Sequence, residues 1–524
     1  MITQDQTEVV SLLSSRSTHA NALVECIETH ASIVFLAGMR AWKLKRAVKY
    51  DYLDFSTVER RKAMCQAEVR VNQRTAPSLY RGVVPVIRRA DGSLALGGPG
   101  NPVDWLVEMV RFDQDALFDR LASRNALDSA LMPSLGTIIA QFHLAADHRR
   151  DHGGRPGMAW VIDGNADGFA EQGAGILEPD ACTSLTAAAR DALERHSARL
   201  EARRRDGLVR HCHGDLHLRN IVLLDRRPTL FDGVEFNDEI ACIDVLYDLA
   251  FLLMDLWRRR LPRHANTVWN AYLAETADFD GVALVPLFLS CRAAVRAKTS
   301  ATAANLQHNP QRQHELNDAA RDYLAFARQL LHPPAACLLA IGGRSGSGKS
   351  TLAHALAPTV GPVPGAVVIR SDEIRKRLCG VDALQRLGPE GYTAQVSERV
   401  YGTVTDRAAR VGRGGHVAIA DAVFARPADR EGIERAAAMA GVPFIGLWLD
   451  APESELIARS RRRHLDPSDA DADVIRRQLV QDIGPIAWHH IDASGTPEDV
   501  LKTVSLFLRE RLKAGPGRQG SRVA

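Results

Sequence analysis

The stretch "GRSGSGKS" at 343–350 restricts the fold of this chain more than any other segment. It satisfies G-x-x-x-x-G-K-[ST] throughout, with Gly343, Gly348, Lys349 and Ser350 at the fixed places and Arg344, Ser345, Gly346 and Ser347 between them. The context fits as well: "CLLAI" before it reads as a buried strand, and "STLAHALA", from Ser350 and Thr351 onward, opens a helix. A glycine-rich turn in that setting lets backbone N–H groups face inward on the phosphates of a nucleotide, where the helix N-terminus adds its positive end. Lys349 then reaches the β- and γ-phosphates, and the Ser350 hydroxyl suits Mg²⁺.

Around this loop short β-like runs alternate with amphipathic helical runs: "ACLLAIGG", "GAVVIRS", "HVAIADAVF", "PFIGLWLDA" and "WHHIDAS". Such alternation predicts an α/β domain, a parallel sheet wrapped by helices with ligand-binding turns at the strands' C-terminal ends. Its start is marked by "LLHPPAAC" (330–337), because a Pro-Pro pair cannot continue the helical run before it. The expected division is a first domain over 1–332, a linker at 333–336, the α/β domain over 337–512 and a Gly-rich, basic, disordered tail at 513–524. The first domain reads differently, with a strand-rich small lobe at about 25–110 and a mostly helical large lobe at about 111–330. This is an α+β arrangement in two lobes.

Several classes are disfavoured by composition. At 524 residues, 46% hydrophobic and 25% charged, the chain is a multidomain globular protein. A net charge of +3 argues against a dedicated nucleic-acid binder. Eight scattered cysteines without a CxxC pair, an N-terminus without a signal-peptide pattern and no apolar run approaching ~20 residues together predict a cytoplasmic protein with no membrane span. Nothing in the sequence fixes the oligomeric state.

In the α/β domain, "VVIRSDEIR" places Asp372 just past a strand, with Arg375 three residues on. A carboxylate there can take the proton of an acceptor hydroxyl, and the guanidinium can hold an anionic part of the acceptor. The other reading of the segment is a helix cap by Ser371 or Asp372. Asp421 ends the run "HVAIAD", where an acid commonly positions Mg²⁺. The charged, turn-forming "SRRRHLDPSDADADVIRRQ" (460–478) suits a mobile lid, with Arg459, Arg462 and Arg463 as candidates to close over phosphates.

In the first domain the notable run is "HCHGDLHLRN" (211–220). Three histidines raise the question of a metal cluster. Read as H-G-D-x-x-x-x-N, however, the run provides Asp215 to receive a hydroxyl proton and, five residues later, Asn220 to hold a phosphate-bound metal. In "LFDGVEF", Asp232 followed by Gly233 supplies a second metal carboxylate. "AWKLKRAV" offers Lys43 and Lys45 on one strand face, with Lys43 favoured for the α/β-phosphates. Glu68, among apolar Met64, Ala67 and Val71, is its expected partner, with Glu59 the alternative. "LVEMVRF" (106–112) predicts a hinge that binds adenine through Glu108 and Val110.

On the phosphate loop, the Asp372–Arg375 pair and the Arg-bearing lid, residues 337–512 resemble the P-loop kinases that include gluconate kinase, chloramphenicol phosphotransferase, the zeta toxins and polynucleotide kinase. That resemblance implies Asp372 as the acceptor-activating base, Arg375 as an acceptor-binding residue and Asp421 on the Mg²⁺ side. On "HGDLHLRN", "FDG" and "DVLYDLA" with Asp248, residues 1–330 resemble the aminoglycoside phosphotransferase family, whose fold is protein-kinase-like and bilobal. Here the resemblance makes His213 an orienting residue rather than a ligand and leaves His211 and His217 without chemistry. The segment over the phosphates, "HASIVFLAGMRAW", departs from the kinase pattern in having one glycine.

The order of the two domains resembles a known bacterial fusion. It implies a bifunctional phosphotransferase using ATP (GTP is the alternative donor) and Mg²⁺ on a small hydroxylated acceptor, with a sugar or related polyol favoured. Two other readings make one module a nucleotide-binding regulator of the other, or the P-loop half a polynucleotide 5′-kinase. The acidic, Gly-rich "DGNADGFAEQGAG" (163–175) reads as a loop that could meet an aminoglycoside.

Overall fold

The computed structural model describes residues 3–50, 52–462 and 467–513. The chain divides into two compact units. One comprises the residues up to Arg259 together with Cys291–Ala327; the other comprises Arg260–Ser290 and the residues from Arg328 on. Arg463 and most of the expected tail, from 514, lie outside the described residues.

The first unit opens on a six-stranded sheet in the order Val24–Glu28, Ser32–Ala37, Arg40–Lys45, Asn101–Val110, Tyr80–Arg88, Leu94–Leu96. Every neighbouring pair is antiparallel. Period-2 alternation sorts the Arg40–Lys45 strand. Trp42 and Leu44 join a core with Phe35, Val86 and Leu106. Lys43 and Lys45 point to the other face, toward the helix Val58–Asn72, whose first turn is capped by the Thr57 side chain accepting from Arg60 N–H. The opening residues, to which the sequence assigned no element, form the helix Thr7–Ser14 and add Val9 and Leu13 to the core.

Beyond the sheet the unit is mostly helical. The stretch 212–220 is slung between two small antiparallel ladders, Val209–His211 with Cys242–Asp244 and Ile221–Leu224 with Arg227–Leu230. The 163–175 segment is corrected from a surface loop: most of it lies in the helix Gly154–Gln172. Two of its glycines are closely packed: a Cβ on Gly168 would fall 2.0 Å from Lys298 Cδ, and one on Gly173 2.5 Å from Phe169 O. Lys298 Nζ donates to Gly164 O at 2.9 Å.

The second unit is built on a five-stranded, all-parallel sheet in the order Val367–Arg370, Ala418–Asp421, Leu338–Gly343, Phe444–Asp450, His489–Asp492. The first strand in sequence lies in the middle, so connections leave it to both sides. The crevice at its C-terminal end is where ligands bind in such sheets, and the phosphate loop emerges there. Leu339, Ile341, Ile419, Leu447 and Leu449 form the core with Leu352, Leu356 and Val504 from flanking helices.

Arg260–Ser290, on the N-terminal side of the Pro-Pro seam, packs in space with this second unit. Its helix Pro262–Thr276 lies against the edge strand Val367–Arg370. Asn270 Oδ1 accepts from Val368 N–H at 2.7 Å, and Asn266 Nδ2 donates to Ala366 O at 3.0 Å and Pro364 O at 3.1 Å. Edge strands expose unpaired backbone groups, and here side-chain amides satisfy them. Among the described residues no helix is long and apolar enough to cross a membrane.

Candidate active sites

In the first unit, Gly214 (φ +82°) turns the chain so that His213 N–H and Gly214 N–H both donate to the buried Asp248 carboxylate, at 3.0 and 2.9 Å. A Cβ on Gly214 would stand 3.1 Å from Ile240 O, a tight contact that adds to the preference of the positive φ for glycine. Asp248 is held in turn by His143 Nε2 at 3.0 Å. Asp215 follows this anchored pair. Asn220 Nδ2 donates to both its backbone O and its Oδ2, each at 2.9 Å, so the five-residue spacing closes on itself. Burial raises the Asp215 carboxyl, but His217, and then His213 and Arg292, outweigh it and keep the group below the usual carboxylate range. Asp215 is therefore charged at neutral pH, as a hydroxyl-orienting base must be.

Two side chains here were not legible as functional. His217, read as idle, places Nε2 3.3 Å from Asp215 Oδ2, which corrects that expectation. Arg292 comes from the distant helix Val285–Asn305. It lies 3.9 Å over the Tyr247 ring and donates to Gly214 O at 3.3 Å. His213 bonds Phe231 O at 2.9 Å, and its own carbonyl accepts from Val234 N–H. Among the described residues the one metal-compatible group is His143, Cys212 and Asp248, which includes none of the three histidines of the run, and its acid is already committed to hydrogen bonds.

Asp232 sits at φ +60°, a conformation costly for a side-chain-bearing residue. The turn is clamped from the small lobe: Asp232 N–H donates to Tyr80 Oη at 3.1 Å and Gly233 N–H to Asn72 Oδ1 at 2.7 Å. Lys43 Nζ lies 2.8 Å from Glu68 Oε1 and 2.6 Å from Asp232 Oδ1. Glu59, the alternative partner, is exposed. Lys45 does more than share a face with Lys43. Its Nζ reaches Glu68 Oε2 at 2.6 Å and Glu235 Oε1 at 2.5 Å. Burial raises the Glu68 carboxyl, but Lys43 and Lys45 bring it down to about 2. The Asp232 carboxylate, 42% exposed, already holds the Lys43 ammonium. With the Asn220 amide it forms the hard-oxygen set that Mg²⁺ prefers, so the residues fit that ion.

The expected hinge is corrected. Adenine would need a free N–H at Val110, but that group donates to Leu79 O at 2.8 Å, and Arg111 N–H donates to Met39 O at 3.0 Å. The Glu108 side chain pairs with Arg40 at 2.8 Å.

In the second unit a cavity of about 660 Å³ opens over the phosphate loop. Ser345–Leu352, Asp372, Asp421, Arg459 and Arg462 contribute to its walls. Gly346 (φ +86°) is required by a close approach: its Cβ would be 2.4 Å from Leu456 O. Lys349 Nζ rests on Arg344 O at 2.9 Å. Asp372 is half-buried on the first turn of the helix Ser371–Leu378, which has no side-chain cap, so the capping alternative is set aside. Burial, and then the Asp421 charge, raise its carboxyl above the usual range. Asp421 and Ser350 both contact the Arg370 guanidinium, at 3.3 and 3.1 Å. Two oxygens that already share one cation fit Mg²⁺ as well.

Arg375 is 7% exposed. It lies beneath the Tyr392 ring, with Nη1 2.8 Å from Gly391 O and 3.3 Å from Ser397 Oγ, and its Nε is without a hydrogen-bond partner. Arg459 is engaged with the carbonyls of Ala493, Ser494 and Gly495. A residue missed from sequence is Gln478, on the helix Ala472–Val480. Its Oε1 accepts from Ser345 N–H at 2.8 Å and its Nε2 donates to Ser345 Oγ at 3.1 Å.

Comparison with known proteins finds two matches in series, the first of which runs into the Arg260–Ser290 segment that packs with the second unit. The phosphotransferase enzyme family matches residues 55–285, and the AAA domain matches 338–481. Uncharacterised proteins of Mycobacterium tuberculosis and Mycobacterium bovis are 29% identical over 483 residues, covering 91% of this chain and 93% of theirs. Among solved structures, a gluconokinase from Sinorhizobium meliloti is 20% identical (34% of this chain and 94% of that one, TM-score 0.25). A choline/ethanolamine kinase family protein from Mesorhizobium loti is 12% identical (62% and 94%, TM-score 0.39). A phosphotransferase-family match and an AAA-domain match thus lie in series along one polypeptide, and the chain is similar to a fusion of an aminoglycoside phosphotransferase-like domain with a P-loop kinase domain.

Proposed function

We propose that the chain is a bifunctional ATP- and Mg²⁺-dependent phosphotransferase that phosphorylates hydroxyls of small molecules, a sugar or related polyol foremost. The observation that carries this reading is duplication: each unit holds its own half-buried aspartate, its own phosphate-directed lysine and its own pair of metal-suited oxygens. In the first site Asp215 orients and deprotonates the acceptor hydroxyl, with Asn220 and His217 fixing its carboxylate. Lys43, steered by Glu68, pairs with donor phosphates once it leaves Asp232. In the second, Asp372 takes the acceptor proton, Lys349 and the loop N–H groups receive the β- and γ-phosphates, and Arg375 holds the acceptor. Mg²⁺, held by Asn220 and Asp232 in one site and by Ser350 and Asp421 in the other, supplies charge neutralisation for the transferring group. The rest is positioning and electrostatics, which such transfers chiefly require.

A panel of sugars, polyols, nucleosides and aminoglycosides, assayed for ATP consumption, tests the acceptor class. Asp215→Asn and Lys349→Ala test the duplication. Each is expected to lower one activity by roughly 10²–10⁴-fold, the usual worth of a positioned catalytic group, and to spare the other. Loss of all transfer in either single variant rules out two independent kinases.

A further inference from the structure

The edge strand Val367–Arg370 ends on an arginine that is 7% exposed, and its guanidinium stands where the phosphate loop would bind a metal. Nε is 3.3 Å from Asp421 Oδ2, Nη2 is 3.1 Å from Ser350 Oγ, and Nη1 is 3.0 Å from Glu373 Oε1. Sheet register enforces this contact. Arg370 and Asp421 are direct partners in the parallel ladder, so their side chains leave the sheet side by side.

The charges explain why a cation belongs there. Asp421 is buried, and its charge is one of the causes that raise the neighbouring Asp372 carboxyl. Arg370 and Lys349 are the cations that act against that rise. Without Arg370, two carboxylates and a hydroxyl would face a cavity with Lys349 as the nearer counter-charge. Such a cluster of hard oxygens would draw a free divalent ion.

We propose that Arg370 is the resident counter-cation of the second site, competing with the divalent metal for Ser350 and Asp421, so that the site accepts metal together with nucleotide and rejects metal alone. The phosphates of an entering nucleotide bring further oxygen ligands for the metal. They also give the displaced guanidinium an anionic partner matched to its planar fork. Arg370 acts here through the metal oxygens, whose occupancy it sets before nucleotide enters. The proposal rests on the reading of the second unit as a nucleotide-dependent kinase.

The test is titration of the full chain with Mn²⁺, followed by electron paramagnetic resonance, in the absence of nucleotide. R370Q removes the competing charge and is expected to bind Mn²⁺ at least about tenfold more tightly than the parent protein, since a unit charge at this range in a partly dry site is strongly felt. Adding D421N to R370Q is expected to abolish that gain, which assigns it to this site and not to Asp232 of the first unit. No gain in R370Q, or a gain that survives D421N, overturns the proposal. Should R370Q lose its cooperative melting transition, R370K replaces it. Its shorter, single ammonium meets the two oxygens less well, so a gain of roughly threefold is expected, and no gain again overturns the proposal. A separate arm measures a fluorescent ATP analogue with Mg²⁺ on the parent protein and on K349A. Absence of Lys349-dependent binding would refute the kinase reading of this unit, while the Mn²⁺ comparison would still decide the role of Arg370.

Discussion

Asp372 shows how a catalytic demand is written against stability. Its folded-state carboxyl is raised, by burial first and by Asp421 next, above its unfolded value. Its contribution to stability is therefore fully present below the unfolded value and is lost as pH rises through the folded one. At neutral pH the partly desolvated charge destabilises the second unit. Asp372→Asn is thus expected to raise the melting temperature at pH 7 by a few degrees, as removal of about 1 kcal/mol of strain would, and to have no such effect near pH 3. The same substitution should remove transfer by this unit, and in the parent protein that transfer should fall as pH drops through the raised value. Calorimetry at the two pH values and a pH–rate profile check both statements. Lys45 shows the opposite balance. Its ion pairs with Glu68 and Glu235 are almost fully enclosed, so Glu235→Gln leaves the buried ammonium to share Glu68 with Lys43 and is expected to destabilise the first unit by about 2 kcal/mol, read by denaturant titration.

At the scale of elements, legibility followed sequence distance. Strand–turn–helix context and fixed spacing exposed the phosphate loop, Asp215 with Asn220, and Asp232, because each constellation is made within a dozen or so consecutive residues. Period 2 placed Lys43 and Lys45 on one face, but it could not say that a second carboxylate, Glu235, would meet Lys45 from 190 residues away. Arg292 and Gln478 stayed hidden for the same reason, since each reaches its loop from a helix 78 or 133 residues distant. The hinge failed on accounting rather than on distance. A strand pattern does not reveal that Val110 N–H is already spent on Leu79. Two element-level outcomes follow. Gly346→Ala drives a methyl group into Leu456 O and is expected to abolish nucleotide binding by the second unit, measured by calorimetric titration. Gln478→Ala frees Ser345 N–H and releases the helix Ala472–Val480 from the phosphate loop. Nucleotide affinity should fall by about three- to tenfold with the melting temperature little altered, as for two part-buried hydrogen bonds worth together ~1 kcal/mol net.

At the scale of the whole molecule, the division in space departs from the division along the chain. The Pro-Pro seam separates two patterns of sequence, yet Arg260–Ser290 ends up with the second unit, where Asn266 and Asn270 finish an otherwise open strand edge. No periodicity distinguishes the helix Pro262–Thr276 from its neighbours, so this could not be read in advance. A fragment starting at residue 333 is expected to associate through its bare edge and to sediment as aggregates, whereas Asn266→Ala with Asn270→Ala in the full chain should cost about 2 kcal/mol of stability.

The chain passes between the two units three times, after Arg259, after Ser290 and after Ala327. For a protease this makes the molecule a knot of membership rather than two beads on a string. A single cut in the 330–336 segment would leave Arg260–Ser290 as a hostage, covalently part of one fragment and structurally part of the other. The two pieces should then migrate together on a native gel and separate only in denaturant, and the same interleaving would oppose any rearrangement of genes that split the chain at its most obvious border.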